Sequence, residues 1–241
     1  MNNLSLKFNS AFIDKVDIVN FLGVYIDSVL RWDVHIDNIV SNVSKCLGIM
    51  YRLRYYFPLS ILFTLYNALI LPYLSYCVTV WGNSSQMKLD SLFKLQKKCV
   101  RICTGSHYLS HTAPLFYKLK TLNIFDLYKY HIALIAFLYF KGLLPNTISQ
   151  YFCVNNQIHN HNTRSSNLIH LWKVQSTLSQ KSVRYNLPVI WNSLPSSVIQ
   201  SKTLSQFKRA LKNYLLPCHV QALLCYHFTS VFIRYSCTCC T

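Results

Sequence analysis

The spacing of apolar positions along this chain changes several times, and each change marks an element. From Leu4 to Asp27 short runs, LKF, FID and VDIVNFLGVYI, are parted by polar Asn-Ser and Asp-Lys turns, which predicts a small β-hairpin. Trp32, Ile36, Ile39, Val40, Val43, Leu47 and Met50 then recur at helical spacing, so a helix is expected from Asp33 to about Arg54, with Asp33 capping its first turn. Tyr55 to Pro58 stops it. Leu59 to Trp81 carries no charge, and Pro72 in its middle predicts two buried helices that meet there, since proline lacks a backbone donor and clashes with the preceding turn. After it, Leu89, Leu92, Phe93, Cys99, Val100 and Cys103 lie on one face of a further helix. Lys94, Lys97, Lys98 and Arg101 recur on the other.

A polar break, SHYLSHT, precedes Thr112 and Pro114, which open a helix carrying Leu115, Phe116, Leu119 and Leu122. Asn123 caps the next, whose period runs through Ile124, Leu127, Tyr128, His131, Leu134, Ile135 and Leu138 until Gly142 and Pro145 close it. Residues 146–180 are polar and read as a linker. Residues 181–216 return to helical spacing, with Phe207, Leu211, Tyr214 and Leu215 inward. The expectation is a mainly α protein: a hairpin over 1–28, a helical bundle over 29–145, the linker, a small C-terminal helical unit over 181–216, and a tail over 217–241 with no recognisable pattern.

Charge narrows the class of partner. The 241 residues hold 24 Lys plus Arg against 7 acids, a net charge of +17, and every acid is Asp. None lies beyond Asp126. A field of one sign favours polyanions or anionic lipid, because each contacted phosphate releases a counterion. Lys94, Lys97, Lys98 and Arg101 are the leading candidates for nucleic-acid contacts, joined by Arg52 and Arg54 at the end of the preceding helix. Lys202, Lys208, Arg209 and Lys212 form a secondary basic patch, and Arg164 stands in the polar run HNHNTRSS. Trp32, Tyr66, Trp81 and Trp191 lie on apolar faces and are expected in the core rather than as stacking platforms.

Hydropathy keeps a rival open. A mean hydropathy of +0.23 and the uncharged run from 59 to 81 are long and apolar enough for a membrane span, about 20 residues being required. Pro72, Asn67 and the many Tyr and Ser residues weaken that reading. Met1 to Ser10 has no apolar leader core, so the expected location is intracellular, cytoplasmic or nuclear, with the ten cysteines reduced. Cys218, Cys225, His227, Cys237, Cys239 and Cys240 have no zinc-finger or knuckle spacing, and no metal site is assigned to them. Neither a glycine-rich phosphate loop nor a nucleophile elbow is present in the sequence.

Three stretches carry a resemblance. FLGVYIDSVLRWDVHI at Phe21 to Ile36, LYNALILPYLSYCVTVWG followed closely by LQKKCVRICTG, and YNLPVIWNSLPSSVIQSKTLSQFKRALKNYLL at Tyr185 to Leu216 resemble, in that order along the chain, the segment leading from palm into thumb, the region just C-terminal to the polymerase core and the closing segment in reverse transcriptases of non-LTR retrotransposons of the LINE type, jockey-like elements among them. Together they resemble the thumb and post-thumb region of that family. The resemblance implies that the hairpin before Phe21 follows the catalytic strands of a palm whose aspartates, which hold Mg in intact relatives, are absent here: the sequence has no Asp-Asp pair and no Glu. Asp14, Asp17 and Asp27 are read instead as turn and strand-end residues. It further implies a noncatalytic part of an RNA-directed DNA polymerase that needs no cofactor itself and grips template RNA or an RNA–DNA duplex through phosphates, independently of sequence. The alternatives are a small membrane protein with its span at 59–81 and an inert degenerate product.

Overall fold

A computed structural model describes residues 6–9, 11–13, 15–158 and 165–216. The protein is mainly helical, with antiparallel strand pairs at its N-terminus. The hairpin expected before Ser28 is β3 (Ile18–Phe21) with β4 (Val24–Asp27), and a shorter pair, β1 (Leu6–Phe8) with β2 (Ala11–Ile13), precedes it. Leu22 and Gly23 turn the β3–β4 pair with φ of 49° and 81°, the backbone of a primed turn that matches strand twist. Tyr76 pins this turn by donating its hydroxyl to Leu22 O at 2.7 Å.

Asp27, not Asp33, organises the entry to α1 (Asp33–Leu53). Its carboxylate accepts the backbone amides of Val29, Arg31 and Trp32 at 3.1, 3.0 and 2.7 Å. Trp32 stands at the cap position with φ of 66° and no side-chain cap, while Asp33 lies inside the first turn, paired with Arg31 at 2.9 Å. The expected cap is thus displaced, because Asp27 already gathers the amides leading into the helix. Partial burial pushes the Asp27 carboxyl up, but the amides of Arg31, Trp32 and Val29 together outweigh it and hold the group below its ordinary value.

The uncharged run folds as α2 (Leu59–Leu65), a π turn (Tyr66–Ile70), α3 (Leu71–Ser75) and α4 (Val78–Trp81). Pro72 does not separate two helices. The π turn lets the Leu71 amide reach back five residues to Tyr66 O, which takes up the register at the point where proline would break an α-helical ladder. The break comes later, at Tyr76 and Cys77, where ψ of 120° and then φ of 50° redirect the chain. Trp81 Nε1 donates to the freed Tyr76 O at 2.9 Å. No helix among the described residues is long and apolar enough to cross a membrane.

Next come α5 (Gln86–Thr104), α6 (Ala113–Lys118) and α7 (Ile124–Phe140), the last capped as expected by Asn123, whose Oδ1 accepts from Phe125 and Asp126 amides. Then α8 (Asn146–Ser149), α9 (Asn155–Ile158) and α10 (Thr177–Lys181) punctuate the polar stretch, before α11 (Val183–Asn192), α12 (Ser196–Ile199) and α13 (Leu204–Leu215).

One hydrophobic cluster joins these elements, from Ile36 on α1 to Leu216. The C-terminal helices enter it through rings: Phe207 stacks on Phe137 at 4.4 Å, and Trp191 on Phe140 at 5.0 Å. Even the polar stretch is anchored, since Phe152 and Ile169 are buried and Val154 bridges Ile169. Trp81, Tyr66 and Trp191 are core residues, and Trp32 packs half-buried against them. The candidate tail residues, Cys218 through Cys240, and Arg164 lie outside the described residues.

Candidate nucleic-acid interface

The packing of α1 on α5 decides where the basic residues meet. Both helices run in the same direction: Lys88, near the start of α5, grips Asp37, near the start of α1, with Nζ 2.7 and 2.8 Å from the carboxylate oxygens. Their C-termini therefore lie together, and with them Arg52 and Arg54 from α1 and Lys98 and Arg101 from α5. Helix C-termini carry partial negative charge, so cations there are favoured by the helices themselves.

The end of α5 is shaped by Gly105 at φ of 64°, with Ser106 N–H donating to Arg101 O and Gly105 N–H to Ile102 O. This closing motif satisfies carbonyls left over by the last turn and turns the chain sharply. Arg101 then fastens the outgoing loop by donating Nε to Ser110 O at 3.0 Å, which brings His107 and Tyr108, rings 4.4 Å apart, to the edge of the same space. Together α1, α5, Leu59 and this loop enclose an open groove of about 1230 Å³.

Its lining is cationic and aromatic. Arg52, Arg54, Lys98 and Arg101 supply charge, Tyr51, Tyr55, His107 and Tyr108 supply rings, and Leu47, Leu59 and Ile102 the apolar floor. No carboxylate among the described residues lines it, so none of them neutralises this charge from within. The cations are not equivalent. Arg54 lies over two rings, its guanidinium 4.2 Å from the Tyr51 ring centre and 4.6 Å from that of Tyr55, with Nη2 donating to the Tyr55 hydroxyl at 2.5 Å. Such a stack holds the group in place at the rim. Arg52 and Lys98 are exposed and carry no such contact.

Of the four α5 cations read as one face, the structure takes Lys98 and Arg101 into the groove. Lys94 is exposed one turn earlier on the same side of the helix, whereas Lys97 folds over the Phe93 ring at 4.3 Å and is half-buried outside the groove. Lys208, Arg209 and Lys212 are exposed on the outer side of α13, opposite Phe207, Leu211 and Leu215, and Lys202 is exposed just before the Thr203 cap. They form a surface on a different element and do not line the groove.

Periodicity did not mark the residue that holds α5 in place. Gln96 is fully buried: its Nε2 donates to the Tyr66 hydroxyl and to Leu122 O, both at 2.9 Å, and its Oε1 accepts from Ile124 N–H at 3.0 Å. Burial pushes the Tyr66 phenol up to about 12, against the pull of the Gln96 bond. Cys99 and Cys103 are buried on the core side of α5, and burial raises both thiols to about 12, which keeps them protonated and unreactive. Among the described residues, no group of three His, Cys or Asp side chains is placed to hold a metal ion. Compared with known proteins, the chain matches no family model, and no curated protein or solved structure resembles it at a significant level.

Proposed function

We propose that this protein binds RNA or an RNA–DNA duplex through the groove between the C-terminal ends of α1 and α5, independently of sequence, as a noncatalytic thumb-like part of a LINE-type reverse transcriptase. The observation that carries this reading is the convergence of Arg52, Arg54, Lys98 and Arg101 from two helices on one acid-free, aromatic-rimmed space. Phosphates suit such a lining because they need charge and donors but no base-specific geometry. The net charge of +17 adds long-range attraction for any polyanion. The sequence resemblance supplies the choice of nucleic acid. Binding, and no bond-making chemistry, is what the reading assigns.

Titration of an RNA–DNA duplex at rising salt tests it. Each phosphate contact contributes about 0.9 to the slope of log affinity against log salt, so replacing Arg52, Lys98 and Arg101 together by Ala should flatten the slope by about 2 to 3. A slope near zero in the wild type, or one that the triple substitution leaves unchanged, removes the groove from the account.

A further inference from the structure

We infer that Trp172, backed by Arg184 and set by His170, is a stacking platform for one unpaired base of single-stranded RNA, at a site separate from the groove, the choice of RNA resting on the function proposed above. Three of the four tryptophans are committed to the core, with Trp81 at 0% exposure, Trp191 at 4% and Trp32 half-buried. Trp172 alone is exposed, at 38%, although the Arg184 guanidinium already lies over its ring at 5.1 Å. Part of the indole therefore stays open to solvent beside its contacts with Arg184 and His170. Leaving an indole open to water forgoes apolar burial, and a base restores it, since every base has a π-face that stacks on an aromatic ring.

The ring is held rather than loose. Its neighbour His170 meets it edge-on at 4.7 Å, and His170 Nδ1 is bonded to Asn155 Oδ1 at 2.9 Å. The backbone behind is clasped by α11: Ile169 N–H donates to Asn192 Oδ1 at 3.1 Å, and Asn192 Nδ2 donates to Ile169 O at 2.9 Å. His170 N–H adds a bond to Cys153 O at 2.8 Å. A platform fixed in this way loses little entropy when a base settles on it. Lys173 is exposed next to it in sequence, and no acid occurs in the sequence beyond Asp126, so Arg184 and Lys173 supply positive charge near the ring for a strand's phosphates. A duplex keeps its bases inside and has none to offer, which makes the ligand a single strand.

The test is intrinsic tryptophan fluorescence of the full chain titrated with a single-stranded oligouridylate, beside an abasic strand of the same length and charge. Uridylate should quench the emission, and Trp172→Ala should abolish the quench and weaken binding by about 5- to 150-fold, the range for one lost base stack. Trp172→Tyr keeps a flat ring and should retain most of the affinity, read by anisotropy of a labelled strand; it also serves if the alanine variant fails to fold. The abasic strand, which offers phosphates only, should bind more weakly and leave the emission unquenched. Equal quenching by the abasic strand, or unchanged uridylate affinity in Trp172→Ala, overturns the platform. The triple groove substitution flattens the salt slope but should preserve the quench per bound strand, so failure of the groove and failure of the platform are told apart.

Discussion

Replacing Gln96 by Leu exchanges an amide for an apolar side chain of similar volume, so it opens little cavity and isolates the hydrogen bonds. In the native protein this amide satisfies the Ile124 N–H, the Leu122 carbonyl and one side of the Tyr66 hydroxyl, in a position with no exposure to water. The Ile124 amide opens α7 and has no intrahelical acceptor, so Gln96 Oε1 is its partner. Tyr66 keeps a second contact with Thr121. Two backbone groups are thus left wholly unpaired, each costing about 1–3 kcal/mol, partly offset by the added apolar burial; the net loss should be about 2–4 kcal/mol. That is a large part of a typical folding free energy of about 5–15 kcal/mol. Urea unfolding followed by far-UV circular dichroism measures it, and at an m-value of about 2–3 kcal/mol/M the midpoint should fall by about 1 M. A midpoint within about 0.2 M of wild type would mean that Gln96 does not join α5 to the π turn and to α7.

Gly82→Ala places a Cβ 2.4 Å from Val78 O and 2.8 Å from the Tyr128 ring, so backbone and ring must both give way; the expected loss is about 1–3 kcal/mol, seen as a thermal midpoint lower by about 3–10 °C, and an unchanged midpoint would show the contact to be slack. His35 is a pH-sensitive group of the core: burial holds its pKa below the ordinary 6.5, and its buried Nε2 has no hydrogen-bond partner among the described residues. The unfolded chain therefore takes up a proton at higher pH than the folded one, so the stability that His35 contributes is full above about pH 6.5 and is lost as pH falls towards its lower folded value. His131, lowered by burial and by Lys208, acts in the same direction. Urea midpoints should decline between about pH 7 and pH 5, and His35→Phe should reduce that decline; an equal decline in the variant would place the effect elsewhere.

Helix positions were largely legible because their signals are local. The apolar period of α1 and α5, the Asn123 cap and the closing Gly142 each act within a turn or two of chain and stand as expected. In α7, by contrast, the buried face moves after Tyr128 to Ile132, Ala133, Ala136 and Phe137 instead of His131, Leu134, Ile135 and Leu138, and Tyr214 of α13, expected inward, is exposed. Local reading failed where a neighbouring group competed. Asp27 displaced Asp33 at the start of α1, and a π turn absorbed Pro72 inside a helix expected to end there.

Charge and periodicity determined, from sequence alone, that this is a basic helical protein with cations on the outer faces of its helices. They left open which helix covers which apolar face and in which direction it lies. Only the parallel docking of α1 on α5 brings Arg52 and Arg54 to Lys98 and Arg101, while Lys97, one residue from Lys98, turns aside onto Phe93. The same holds for Gln96, whose three partners lie 26 to 30 residues away, and for Trp172, exposed while the other tryptophans pack. Helical spacing specifies a direction around one axis, whereas a site requires the relative placement of several axes, and that is set by how side chains far apart in the chain fill a common core.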